Sequence, residues 1–345
     1  MFLLDSTLVM ISKSKILIFG LFVSTSFSQE VKWMSIGDLH NWYSAAGCEI
    51  ETGRTGQVSD QQDGLRYPAF YRVQDNQAAK GLWLGATNFY DPVVNKDYEY
   101  KVIHAGPRHL DIENETMPVD MTMDGKYDHP NVFVDGDPAT NLQYLDDVDN
   151  VDPSLPSDRR INNIVQTSIG VQMKRTIYAF AHPEHQNYHI QEYVFTNNGC
   201  FDADCNTSYE QTLEGFQVYL QYRYAISREG MVYDGNWLPQ SAAWGHNTMN
   251  DVIGEHPDAP SVNDQFYDNG EIMRALFSWQ GYHSDASFDN LGGPNAPGEG
   301  HLGAAQFVGV VTLHADTSPT DNTDNINQPS TTWFITSDDP TTSGN

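Results

Sequence analysis

LEGFQVYLQYRYAIS, residues 213–227, alternates along its length. Phe216, Val218, Leu220, Tyr222 and Tyr224 fall on one side of an extended chain, and Gln217, Tyr219, Gln221 and Arg223 on the other. Successive side chains of a strand point to opposite faces, so this stretch predicts a β-strand that covers a core with its aromatic and aliphatic side. HIQEYVFT, residues 189–196, alternates as well: Ile190, Glu192, Val194 and Thr196 share one side, His189, Gln191, Tyr193 and Phe195 the other, and neither side is cleanly apolar. Residues 197–212 join the two segments through a loop, and the shortest topology for such a connection is an antiparallel pair of neighbours.

Working outward, short runs rich in aromatic and β-branched residues recur between turn-formers at 67–73, 81–86, 98–104, 164–181, 271–278, 305–314 and 331–335. Each reads as a strand. Only residues 35–46 carry a weak helical period, and Trp33, Trp42 and Tyr43 suit a sheet equally well. The expected fold is all-β: antiparallel sheets packed as a β-sandwich, one large or two, with long acidic loop insertions. The sandwich region spans 29–315 and contains a loop insertion at 105–160, where Asp, Pro and Asn dominate. Loops of that length in a compact domain are uncommon and are usually functional, ordered by a metal or disordered. Residues 316–345, rich in Thr, Asp, Ser and Pro, read as a linker or a truncated C-terminal segment.

KSKILIFGLFVSTSFS, residues 13–28, has a lysine-bearing start, an apolar stretch and the small-residue pattern Ser26-x-Ser28 before Gln29. This is the pattern of a secretory signal peptide on residues 1–28, with cleavage before Gln29 and an extracellular or cell-surface destination. The apolar run 16–23 is shorter than the roughly 20 residues that span a bilayer, so no transmembrane segment is expected in the mature chain. Residues 1–28 carry a net +1, so the formal charge of −28 becomes −29 after cleavage. A field of that sign repels phosphate backbones and anionic lipid, which excludes nucleic acid as a partner. It favours divalent cations, basic proteins or solubility in salt.

Aspartates at alternate positions can aim several carboxylates at one hard cation, and Ca2+ takes oxygen ligands at about 2.3–2.6 Å. The candidates are Asp135 and Asp137, then Asp146, Asp147, Asp149 and Asp152, then Asp202, Asp204 and Asn206. None completes an EF-hand loop, since Thr207 and Leu213 stand where Gly and Glu are needed. His182, His185 and His189 in HPEHQNYH have a spacing at which imidazoles can share a transition metal, although Pro183 argues against a helix that would stack them. A turn with exposed histidines is the plainer reading of that segment. Cys200 and Cys205 bracket FDAD and predict a disulfide; Cys48 is left buried and free, or pairs with one of them. Trp237, Trp244 and Trp279, set among Gly, Asn and His, have the chemistry to stack on sugar rings, and core packing accounts for them equally.

GLWLGATNFYD (81–91), YVFTNNG (193–199) and LEGFQVYLQYRYAISREG (213–230) resemble segments of uncharacterised secreted β-rich proteins of marine bacteria, which often end in a type IX secretion sorting domain. The resemblance runs over most of residues 33–316 and implies export and β architecture, with no functional residue to carry over. No sorting domain is recognisable before Asn345, which reads as the end of a truncated sequence.

No G-x-S-x-G elbow, S-x-x-K set or phosphate-binding G-x-x-x-x-G-K occurs in the chain. The sequence therefore points to a secreted or cell-surface β-sandwich with a structural or ligand-binding role, its ligand a polysaccharide or a surface protein. The competing expectation is a secreted glycoside hydrolase or lyase using paired carboxylates from distant strands, which leave no local signature.

Overall fold

The computed structural model describes residues 30–49, 65–70, 75–106, 115–130, 132–139, 146–224, 231–233, 236–238, 248–253, 267–268, 271–272, 274–280 and 307–325. Among them there is no helix, and the protein is all-β. In chain order the strands are β1 Val31–Met34, β2 Asn41–Ser44, β3 Leu65–Arg66, β4 Asp75–Asp91, β5 Lys96–Ala105, β6 Thr116–Gly125, β7 Phe133–Val134, β8 Asp137–Pro138 and β9 Asn150–Val151. There follow β10 Arg159–Thr167, β11 Val171–Ala179, β12 His189–Asn197 and β13 Glu214–Tyr224. Shorter strands complete the series: β14 Met231–Tyr233, β15 Asn236–Leu238, β16 Thr248–Ile253, β17 Tyr267–Asp268, β18 Glu271–Ile272, β19 Arg274–Gln280, β20 Phe307–Thr312, β21 Asp316–Ser318 and β22 Asp321–Asp324.

A five-stranded sheet has the order β12-β11-β10-β6-β9, antiparallel except for the parallel β6–β9 pair. In the other large sheet the long β4 pairs with β13 along one edge and with β5 and β3 along the other. Farther along, β16, β19 and β20 form a three-stranded antiparallel sheet. The predicted strands at 81–86, 98–104 and 189–196 lie in β4, β5 and β12, and residues 214–224 of the one predicted at 213–227 form β13, while 225–227 lie outside the described residues.

Several expectations are corrected. β12 and β13 are not neighbours: β12 pairs with β11, β13 pairs with β4, and the disulfide-closed loop between them crosses from one sheet to the other. The expected single strand 164–181 is a hairpin, because the chain turns at Ser168-Ile169-Gly170 between β10 and β11. Residues 67–70 form a bend and turn rather than a strand, with a cis Tyr67–Pro68 bond, and 331–335 lie outside the described residues. The weak helical period at 35–46 contains β2, and Trp33 faces Trp42 across the β1–β2 ladder with ring centroids 4.7 Å apart.

The acidic insertion is interrupted by β6, a ten-residue strand that lies between β10 and the short edge strand β9 of the five-stranded sheet. Its Met121 and Met123 point inward beside Asn163 and Ile161 of β10. Pro118 is accommodated because the ladder slips past Val119 at a bulge, where a residue without an N–H breaks no hydrogen bond.

Among the described residues two large buried clusters fill the interior, with a small third of Ala46, Cys48 and Ala105. Leu82, Leu84, Ala86, Phe89 and Ile103 of the β4–β5 sheet meet Val165, Val171 and Met173 of the five-stranded sheet, with Phe201 from the crossing loop. Met34, Tyr43 and Ala45 from the first hairpin meet Met121, Met123, Ile161, Ile177 and Ala179. Between the clusters runs the segment 44–49. It approaches β11 so closely that a Cβ on Gly47 would stand 2.6 Å from Met173 Cε, and Gly47 holds φ +99°, a left-handed value that glycine adopts without strain.

Candidate functional site

The most concentrated polar chemistry of the described interior lies where segment 44–49 reaches β4. Glu49 and Lys80 exchange both backbone hydrogen bonds, at 3.0 and 2.9 Å, as an isolated antiparallel bridge. Opposed residues of such a pair project to the same face, so their side chains emerge together and form an ion pair. On the other side of β4, Tyr222 of β13 stands opposite Lys80. From the five-stranded sheet, His189, Gln191 and Tyr193 of β12 reach the same region.

Glu49 is 2% exposed, and every acceptor direction of its carboxylate is used. Oε2 accepts Asn41 Nδ2 at 2.7 Å and Gln77 Nε2 at 2.8 Å, and Oε1 accepts Gln191 Nε2 at 2.9 Å and the Lys80 ammonium. Lys80 Nζ also donates to Gln191 Oε1 at 3.1 Å and lies 5.5 Å from the centre of the Tyr193 ring. Tyr193 Oη donates to the same Gln191 oxygen at 2.8 Å. Tyr43 Oη lies 2.8 Å from His189 Nδ1, and the rings of Tyr222 and Tyr224 stack with centroids 5.6 Å apart. The Tyr224 hydroxyl is buried without a hydrogen-bond partner among the described residues.

Burial alone would raise Glu49, but the Lys80 charge and the hydrogen bonds overturn this and hold it below the ordinary carboxylate value. Burial alone would lower Lys80, and the Glu49 charge reverses the direction. Both stay ionised, so the pair is a fixed dipole between the sheets. Burial raises Tyr43, Tyr222 and Tyr224 and lowers His189 to about 4, which leaves a neutral imidazole at neutral pH.

That last shift predicts acid sensitivity. His189 titrates near 6.5 when unfolded and near 4 when folded, so between those values the unfolded chain binds more protons and stability falls as pH falls. The loss is about 2 kcal/mol between about pH 7 and pH 5, and about 3 kcal/mol once both states are protonated. Urea unfolding at a series of pH values checks it. In a His189→Gln variant the slope between pH 6.5 and 4.5 should flatten, and an unchanged slope would assign the sensitivity elsewhere.

The aspartates expected as calcium ligands stand in turns, at strand ends and in loops. Asp135 and Gly136, at φ +54° and +92°, form the two-residue turn between β7 and β8, and Asp137 opens β8. Asp146 accepts Ser35 Oγ and His129 Nε2, Asp149 accepts the Met123 N–H and Lys32 Nζ, and Asp152 accepts Ser154 N–H and Oγ. Asp147, Asp204 and Asn206 are exposed. Asp202 accepts the backbone N–H groups of Asp204, Asn206 and Thr207, which closes the small loop and holds its carboxyl below the ordinary value. Cys200 and Cys205 are disulfide-bonded, Cα atoms 4.8 Å apart, and Cys48 is a free, buried thiol that burial pushes up.

The histidine trio is divided. His182 and His185 come together with Glu184, while His189 turns inward to Tyr43. Trp237 lies in β15 and Trp279 in β19, and Trp244 lies outside the described residues. Glu49, Lys80, Gln77 and Asn41 were not singled out in the sequence, because partners that are 31 positions apart as Glu49 and Lys80 are leave no local spacing to read.

These elements define an all-β protein whose two large sheets share a charged, amide-bearing and tyrosine-bearing seam. No known protein family matches the chain, and no curated protein or solved structure is significantly similar to it. No helix among the described residues is long and apolar enough to cross a membrane.

Proposed function

We propose that this chain is a secreted or cell-surface β-sandwich protein that binds a polysaccharide, and that the seam around Gln191, Tyr193 and Tyr222 is where a sugar is held. The leader-like residues 1–28 and the resemblance to exported marine bacterial proteins support the location, and the Cys200–Cys205 disulfide suits an oxidising compartment. Half-buried Tyr193 and Tyr222 offer ring faces for sugar C–H surfaces, and the Tyr193 hydroxyl, which donates to Gln191, keeps its oxygen lone pairs to accept from a sugar hydroxyl.

The observation that carries the reading is the state of Glu49. Its carboxylate accepts from Asn41, Gln77, Gln191 and Lys80 at once. A group so engaged is a fixed electrostatic element rather than an acid or base that gains and loses a proton in each turnover. This favours binding over the rival hydrolase with paired carboxylates at this seam.

Affinity electrophoresis of the full chain through gels containing a panel of neutral and acidic polysaccharides tests it. Retardation by at least one polysaccharide is expected, and Tyr222→Ala should abolish it while leaving the far-UV circular dichroism spectrum unchanged. Release of reducing ends from any member would replace this reading with the hydrolase, and retention by none would end the polysaccharide reading.

A further inference from the structure

The turn that precedes β12 presents a different chemistry, independent of the seam. We propose that His182, Glu184 and His185 form a site for a borderline-soft divalent metal ion of the zinc class. One ligand atom from each of these exposed side chains lies within 4.8 Å of the others. In a tetrahedral site with bonds of about 2.0 Å the ligand atoms stand about 3.3 Å apart, so closing on an ion shortens these separations by at most about 1.5 Å. Two imidazoles and a carboxylate suit zinc, copper and nickel, while an oxygen-seeking ion such as Ca2+ finds only one ligand of its own kind here.

The backbone that carries the ligands is already fixed. The His185 N–H donates to the His182 carbonyl at 2.8 Å, closing the turn, and Pro183 restricts its φ. At one end the Ala181 N–H donates to Asp158 Oδ2 at 2.7 Å. At the other, the Asp38 N–H donates to the Gln186 carbonyl and Gln186 Nε2 to Asp38 Oδ2, both at 2.9 Å. Gly37 lets this loop seat against the first hairpin: at its φ of +78° a Cβ would come 2.6 Å from the Gln186 carbonyl oxygen. Ordering entropy that a flexible loop would lose on binding an ion is therefore already spent in folding.

His185 Nδ1 lies 2.6 Å from Tyr188 Oη. In the tautomer whose Nδ1–H donates to that oxygen, Nε2 keeps its lone pair for an ion, and a second ring nitrogen held by a hydrogen bond is the usual arrangement around ligating imidazoles. Phe180 flanks both rings, its centroid 5.9 Å from His185 and 6.0 Å from Tyr188. His182 Nδ1 accepts the Glu184 N–H at 3.2 Å, a long bond that ring rotation gives up at small cost. With three protein ligands, a fourth position is left for water.

The untagged full chain, stripped with chelator and dialysed, is titrated with Zn2+ by calorimetry and with Co2+ by visible absorption. Binding of one ion per chain is expected with a Kd of about 10 µM or tighter, and four-coordinate cobalt should give intense visible bands. His182→Ala and His185→Ala should each weaken binding roughly a hundredfold, and Glu184→Gln and Tyr188→Phe roughly tenfold. All four residues are exposed on the turn, so the fold is retained. His314, exposed and paired with Asp316 and Asp324 elsewhere, is the control, and His314→Ala should bind as the parent does. No zinc binding, binding unchanged in His185→Ala, or a loss confined to His314→Ala would each overturn the assignment.

Discussion

Lys80→Met is expected to destabilise the protein by about 3–5 kcal/mol at pH 7, the usual consequence of removing one member of a buried ion pair and leaving the other uncompensated. Glu49, 2% exposed, would keep its hydrogen bonds from Asn41, Gln77 and Gln191 but lose the one ion-pair partner it has among the described residues. Without the ammonium, burial dominates and the Glu49 carboxyl titrates above 4.5 instead of below it. The sign of the pH response then reverses at this group. In the parent, the paired Glu49 contributes stability that is lost as pH falls through its folded value. In Lys80→Met the folded state holds its proton more tightly than the unfolded one, so the deficit shrinks as pH is lowered towards 4. Guanidinium unfolding at pH 7 and pH 5 measures both effects, and Glu49→Gln with Lys80→Met closes a double-mutant cycle. The double variant should recover about 2 kcal/mol relative to the sum of the single ones. A cost under about 1 kcal/mol for Lys80→Met would show that water reaches the pair and that the seam is not dry.

The same pair shows how far the sequence could be read. Alternation made β12 and β13 legible because period two is a local property, carried by Tyr193 and Phe195 or by Leu220 and Tyr222 within one segment. Partnership is not local. β13 joins β4 more than a hundred residues earlier in the chain, and nothing between residues 197 and 212 tells a sheet-crossing loop from a hairpin. β6 was hidden because only two of its inward positions, Met121 and Met123, are strongly apolar, and Pro118, Asp120 and Asp124 gave the stretch the texture of a loop. The histidine cluster was half legible: spacing located the turn, but whether His189 joins it depends on the strand beginning there, which aims that ring at Tyr43. Aspartate spacing located turns, such as Asp135-Gly136 and the loop capped by Asp202, because the residues that bind cations are also those that accept backbone N–H groups at turns.

Arg175→Met should be the most damaging single substitution, costing more than about 4 kcal/mol, because three of the four acceptors it serves are backbone carbonyls that no side-chain change can remove. The Arg175 guanidinium is 0% exposed between the two apolar clusters. Its Nη1 donates to the carbonyls of Gly47 at 2.9 Å and Cys48 at 3.3 Å, and its Nη2 to the Ser44 carbonyl at 2.7 Å and Asn163 Oδ1 at 3.1 Å. Replacing a whole buried ionic group with apolar side chains is often harmless, but here only the donor would go. Four hydrogen bonds from a charged donor would be lost, at about 1.5–3 kcal/mol for each well-formed one. The Ser44 and Cys48 carbonyls keep the backbone N–H groups of Gly47 and Ser44, both at 3.0 Å, while the Gly47 carbonyl would stay buried without this donor unless the segment moves to water. Movement has its own consequence, since the same segment delivers Glu49 to Lys80. Arg175→Met and Lys80→Met should therefore be strongly non-additive, the second costing little once the first has displaced Glu49. Arg175→Lys, with one ammonium in place of a fork, should recover about half of the loss. Guanidinium unfolding midpoints with unchanged slope give these values. A loss below about 1.5 kcal/mol for Arg175→Met would mean that segment 44–49 holds its place through packing on Met173 and Leu82 alone, and that the polar seam is assembled without the guanidinium.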